Sequence, residues 1–179
     1  YRGIGSVATV PEGLGGGIAI AARRGEVADG DGWSTYGQAE AGYGSSASSR
    51  SGAVFAGLHD RNNRIDVAAS SDRADDYEFD GGVVRATEYE REQYRFGYGR
   101  RFEDAELSAG AVANRTGPSG TPALPMDIRY VESDQYTFEL DAGTGGGRLS
   151  LRASTLSVEH LMDNFTLGAP QLTPMGMPR

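Results

Sequence analysis

Hydrophobic residues in this chain recur at every second position and almost nowhere at helical spacing. From Trp33 to Tyr43 one parity reads Trp33, Thr35, Gly37, Ala39, Ala41, Tyr43, and the other reads Ser34, Tyr36, Gln38, Glu40, Gly42. The division returns at Ile65, Val67, Ala69, at Tyr94, Phe96, Tyr98, and at Leu107, Ala109, Ala111. It returns again at Tyr136, Phe138, Leu140 and at Leu149, Leu151, Ala153, always interleaved with polar residues. Gly52 to Leu58 is a weaker strand, with both parities fairly apolar. Successive side chains on an extended backbone point to opposite faces, so each segment has one small apolar face and one polar face. Helices are disfavoured because 27 Gly in 179 residues, with sparse Leu, interrupt any window before three turns accumulate. The expected fold is all-β, an antiparallel up-and-down meander.

The connections alternate in length. Short ones fall at Asp60 to Asn63, Arg101 to Asp104 and Gly143 to Gly147. Longer ones fall near Asp75 to Ala86 and Thr116 to Tyr130, with Gly44 to Ser49 a shorter member of that set. Tight turns at one end and extended loops at the other characterise outer-membrane barrels, whose tight turns are periplasmic. Strands of roughly 9 to 14 residues suit a tilted bilayer crossing. Trp33, Tyr43, Tyr94, Tyr98, Phe102 and Tyr136, near strand ends, suit interfacial girdles. A soluble antiparallel sandwich also alternates. Against it, the apolar parity is often Ala or Gly where a sandwich needs large aliphatics. The polar parity carries Arg, Glu and Gln on strand after strand, as a watery interior would.

The net charge of -8 and the scatter of the 17 basic residues, every one an Arg, remove the support for nucleic-acid binding. The absence of Cys excludes thiolate sites and disulfides within this stretch, and two histidines exclude a three-His centre. No stretch is long and apolar enough for a membrane helix, and Tyr1 to Ser6 lack the features of a secretory signal. The glycine runs near Gly3 and Gly13 have no P-loop Lys, the acids from Asp72 to Asp80 lack calcium-loop spacing, and no catalytic triad can be nominated. The expectation is a protein without enzymatic activity.

Val7 to Ile20 reads Val-Ala-Thr-Val-Pro-Glu-Gly-Leu-Gly-Gly-Gly-Ile-Ala-Ile, followed by Ala-Ala-Arg-Arg and then Asp-Gly-Asp-Gly-Trp. This resembles the junction of plug and barrel in TonB-dependent outer-membrane receptors, where a Gly-Gly-x-Ile-x-Ile segment is the last plug strand. Thr121 to Asp127 (Thr-Pro-Ala-Leu-Pro-Met-Asp) and Val158 to Leu167 (Val-Glu-His-Leu-Met-Asp-Asn-Phe-Thr-Leu) are similar to segments of the copper-type branch. The resemblance spans nearly the whole chain. Its plug-end motif is moderately specific, and His-x-Met-Asp-Asn is sharper. It implies an internal fragment: residues 1–24 the C-terminal end of a plug domain, 25–32 a linker, and 33–179 the N-terminal part of a large transmembrane β-barrel, about seven of about 22 strands. The TonB box, most of the plug and the bulk of the barrel are missing. Pro170, Pro174 and Pro178 do not suit a closing strand, so the end reads as the interior of a long extracellular loop. The implied activity is energised import across the outer membrane of a Gram-negative bacterium. Partners would be the TonB complex, outer-membrane lipid and a metal or metal chelate, with no nucleic acid and no required cofactor.

His160 and Met162 stand two apart, in the parity of Arg148, Ser150 and Arg152, so an extended backbone points both to the polar face near the outer mouth. Imidazole with thioether favours copper, Cu(I) in particular, over harder ions. Two ligands do not hold a metal tightly, and the resemblance implies that the others come from a Cys-x-x-x-Met pair on the plug, upstream of Tyr1. Asp163 and Asn164 follow at once and would fix the loop or orient the imidazole. Met126 would lie on an approach path for soft metal. The bland alternatives are an ordinary loop histidine at His160 and loop hydrophobes at Met162 and Met126. Two further readings of function stay open: a receptor for ferric siderophores that does not depend on His160, and a small structural or adhesive outer-membrane barrel.

Overall fold

The computed structural model describes residues 32–120 and 126–167. The alternating segments become β1 (Ser34–Gly44), β2 (Ser49–His59), β3 (Asn63–Ala74), β6 (Tyr89–Arg101), β7 (Ala105–Ser119), β8 (Asp127–Thr144) and β9 (Gly147–Asp163). These form one antiparallel sheet in the order β1-β2-β3-β6-β7-β8-β9, so neighbours in sequence are neighbours in space. The small hairpin of β4 (Tyr77–Phe79) and β5 (Gly82–Val84) stands apart. No described residue is helical.

The register lines up the two parities across all seven strands. One row runs Tyr36, Gly57, Asp66, Gly97, Gly110, Thr137, Ser154, and the adjacent row on the other face runs Gly37, Ala56, Val67, Phe96, Ala111, Tyr136, Thr155. Burial follows the reverse of a water-soluble sheet. Among the described residues no hydrophobic side chain is buried, whereas Arg64, Asp66, Ser108 and Ser119 are. Phe96, Tyr136 and Leu151 of the apolar face are 48%, 57% and 53% exposed. The sheet therefore has no hydrophobic core of its own.

Turn chemistry sets the two ends. At the β2–β3 turn Asp60 Oδ1 accepts from the backbone N–H of Asn62 (2.7 Å) and Asn63 (2.6 Å), an Asx turn that reverses the chain within four residues. Partial desolvation works to raise the Asp60 carboxyl, but these donors, the Asn63 amide and the Arg100 charge hold it below its ordinary range. Phe102 N donates to Ala105 O (2.7 Å) to close β6–β7, and Gly145 and Gly146 alone join β8 to β9. At the opposite end the connections are knitted together, with Asp75 N donating to Ala47 O, Glu78 N to Ser46 O and Gly120 N to Glu88 O.

Three features differ from the sequence expectation. The connection from Asp75 to Ala86 contains the β4–β5 hairpin, in which Asp80 and Gly81 link Phe79 to its register partner Gly82, a glycine at φ 142°. The connection expected from Thr116 to Tyr130 is shorter, because β7 runs on to Ser119 and β8 begins at Asp127. Pro118 is tolerated there because pairing is interrupted beside it on both sides, between Thr116 and Ser119. Finally, strands of 15, 18 and 17 residues in β7, β8 and β9 exceed the expected range. Cross-strand polar pairs such as Arg115 with Asp134 (2.8 Å) extend the ladder beyond the apolar zone. The segments expected to be plug and linker, 1–24 and 25–32, lie outside the described residues apart from Gly32.

Candidate functional site

Two places on the polar face concentrate functional side chains. The first, near the tight turns, is built by alternating glycines. Gly97 and Gly99 of β6 face Asp66 and Arg64 of β3, and a Cβ at Gly97 would meet Asp66 Oδ2 at 2.5 Å, one at Gly99 Arg64 Cζ at 2.6 Å. The missing side chains are slots in which the charged ones lie flat. Arg64 can then cross β6 to β7, donating from Nη1 to Glu106 Oε1 (2.6 Å) and from Nη2 to Ser108 Oγ (2.8 Å). Arg95 Nη2 lies 2.9 Å from Asp66 Oδ2, an ion pair whose angles fall outside hydrogen-bond geometry. Tyr36 lies over Gly57, edge-on to His59 with centroids 5.1 Å apart, and its hydroxyl is buried without a hydrogen-bond partner among the described residues. The network neutralises its own charges, so it stiffens the wall.

The second place is the far end of β8–β9. His160 is opposite Val131, and Met162 is opposite Ile128. A register shift between Ile128 and Tyr130 absorbs one extra residue of β8, so β9 keeps its alternation and the two side chains share the polar face. His160 is exposed, Met162 half-buried. His160 makes no hydrogen bond or ion pair among the described residues. Met126, 41% exposed, immediately precedes Asp127, the register partner of Asp163, and thus lies at the same end of the strand pair.

Asp163, the last residue of β9, organises the turn that follows it. Its Oδ1 accepts from the N–H of Phe165 (3.1 Å) and Thr166 (2.9 Å), Oδ2 accepts from the Thr166 hydroxyl, and Arg129 Nε stands 3.7 Å away. The carboxylate closes the turn after β9. Asn164 is half-buried in that turn. A soft ion approaching the polar face here would find one imidazole and one thioether, with a second thioether nearby, an incomplete shell. Among the described residues no group of three or more His, Cys, Asp or Glu could hold a metal.

Sequence reasoning placed His160 and Met162 on one face but missed the Arg64–Asp66–Arg95 network. Its local signal is the match of Arg64-x-Asp66 to Gly97-x-Gly99, visible only once the register of β3 and β6 is known. No family model matches the chain, and no curated protein and no solved structure matches it either.

Proposed function

We propose that this chain is part of the wall of a transmembrane β-barrel, in an outer-membrane TonB-dependent receptor that imports copper. The observation that carries the membrane reading is the inverted burial: the large apolar side chains are exposed on one face while Asp66 and Arg64 are buried on the other. Lipid is the solvent in which such a face is stable. On β7 that face runs from Ala105 to Ala113, roughly nine residues, which meets the about 9–11 a tilted strand needs to cross. It then turns charged in the row of Glu92, Arg115, Glu132 and Glu159. Tyr94 adjoins that charged row, and Phe102 and Trp33 lie toward the tight turns, as interfacial girdles would, whereas Tyr98 and Tyr136, opposite Ala109 and Ala111, lie within the apolar rows. Neither β1 nor β9 has a partner on its outer side among the described residues, and open edges require more strands in lipid.

In this reading His160 and Met162 lie beyond the charged boundary, inside the outer mouth, and supply part of a copper site that a plug completes. Import needs no bond chemistry at these residues. Capture is by soft ligation, and energy comes from the TonB complex. Asp163 holds the β9 turn, and Met126 borders the approach. A ferric-siderophore receptor is the second reading, favoured by Arg91 in the same polar-face row as His160, with its guanidinium 4.8 Å above the Tyr89 ring.

The test is copper stoichiometry by elemental mass spectrometry on the full-length gene product from outer membranes, wild type against His160→Ala/Met162→Ala. About one copper per wild-type chain, lost in the double variant, is the expected result. No copper in either returns the two residues to loop roles and leaves the chelate reading. A chain that folds alone in detergent, with heat-modifiable migration, replaces the receptor by a small structural barrel.

A further inference from the structure

At the long-loop end, a cleft of about 400 Å³ opens between the β1–β2 loop and the chain leading into β6. Arg50 and Arg73 line it together with Asp75, Glu88 and Glu90. We propose that this cleft binds a small zwitterion bearing a phosphate and an ammonium group, of the phosphoethanolamine class, with Arg50 and Arg73 on the phosphate and the three carboxylates on the ammonium.

The register puts Arg50 directly opposite Arg73, and like charges so placed destabilise a sheet. Both are exposed, and neither makes an ion pair or side-chain hydrogen bond among the described residues. Glu90 is the next residue in that row, opposite Arg73 on the other side, yet its Oε2 lies over Gly117, 3.3 Å from where a Cβ would be. Two guanidiniums from adjacent strands are thus left facing one opening, and the tetrahedral oxygens of a phosphate suit both.

Charge of the other sign is crowded on the facing chain. The Glu88 carboxyl is pushed above its ordinary range, first by burial and then by the charges of Asp76, Asp75 and Asp127. Asp76 Oδ1 is occupied by the N–H groups of Thr87 (2.9 Å) and Glu88 (3.2 Å), which fixes the crowding in place. An ammonium relieves it, as a phosphate relieves the arginines. A simple anion is repelled by one wall and a simple cation by the other, so the preferred ligand carries both charges.

Free phosphoethanolamine and a phosphatidylethanolamine headgroup share this chemistry. The test titrates full-length protein in detergent with O-phosphoethanolamine, inorganic phosphate and ethanolamine, and repeats the titration in nanodiscs with and without phosphatidylethanolamine. Saturable binding of the zwitterion is expected, with either half alone at least about tenfold weaker. Arg50→Gln/Arg73→Gln and, separately, Glu88→Gln are each expected to weaken it by at least about tenfold. Competition by the lipid identifies the headgroup as the ligand, and undiminished binding identifies the free compound. No saturable binding, equal binding of phosphate alone, or unchanged binding in both variants overturns the proposal. None of these readouts depends on copper.

Discussion

Arg95 reaches Asp66 diagonally, Nη2 to Oδ2 2.9 Å, because the residue directly opposite Asp66 is Gly97 and leaves room for both side chains on the polar face. Asp66 is 2% exposed, the most buried large side chain described, in a sheet with no buried hydrophobic one. The most protected contacts of the wall are therefore electrostatic. Asp66→Ala removes the buried carboxylate of the pair and is expected to cost about 3–5 kcal/mol, as removal of one partner of a buried pair does. Urea midpoints of the full-length protein in lipid vesicles measure this. A cycle with Arg95→Ala should recover a coupling of at least about 1 kcal/mol, and additive losses would show that the pair is not coupled.

Gly97 tests the slot directly. Gly97→Ala places a methyl against the Asp66 carboxylate, and since that side chain is itself ion-paired the collision is expected to cost about 1–3 kcal/mol. Gly145→Ala, at a site with nothing within 4 Å, is the control and should change the midpoint by less than about 0.5 kcal/mol. Equal effects at the two positions would mean that backbone preference, not the slot, governs both.

Glu88 carries a pH signature. Its folded carboxyl is raised by burial and by the nearby acids, so ionising it costs the folded state more than the unfolded chain. The associated stability is present in full below the ordinary value of 4.5 and is lost as pH rises through the raised folded value. Glu88→Gln removes the penalty. The variant is expected to be more stable than wild type at pH 7 and to match it at pH 4, read from unfolding midpoints at both. A destabilised Glu88→Gln at pH 7 would show that the carboxylate is stabilised by a partner.

The same local physics decides what was legible in the sequence. Period-two alternation is a property of neighbouring residues, so Trp33 to Tyr43 or Leu149 to Ala153 declared both strand and face, and all seven strands of the sheet were foreseen. His160 and Met162 were placed on one face for the same reason, and the register shift at Ile128 did not disturb it because the extra residue lies in β8. Long-range partners were not legible. Arg64 meets Glu106 42 residues later, a pairing set by the offsets of two turns and invisible without them. The ends of β7 and β8 were misjudged because Gly117 and Pro118 read as loop, whereas here they occupy an interruption in the ladder. The β4–β5 hairpin had a readable signal in Asp80-Gly81, overshadowed by the acids around it.

The two faces of β6 give the sharpest test of the membrane reading. Phe96 sits mid-strand on the apolar face, 48% exposed, and Gln93 on the polar face donates from its amide to Asn114 Oδ1 at 2.7 Å. If lipid covers the apolar face, Phe96→Arg buries a charge near the middle of the apolar zone and should cost about 2–4 kcal/mol of folding stability in bilayers. Gln93→Arg enters a polar, hydrated face and should cost less than about 1 kcal/mol. In water the expected order inverts, because an exposed Phe on an aqueous face is easily replaced by Arg. Vesicle refolding of both variants therefore separates a lipid-facing wall from a sheet whose apolar face meets water, and a harmless Phe96→Arg would end the barrel proposal.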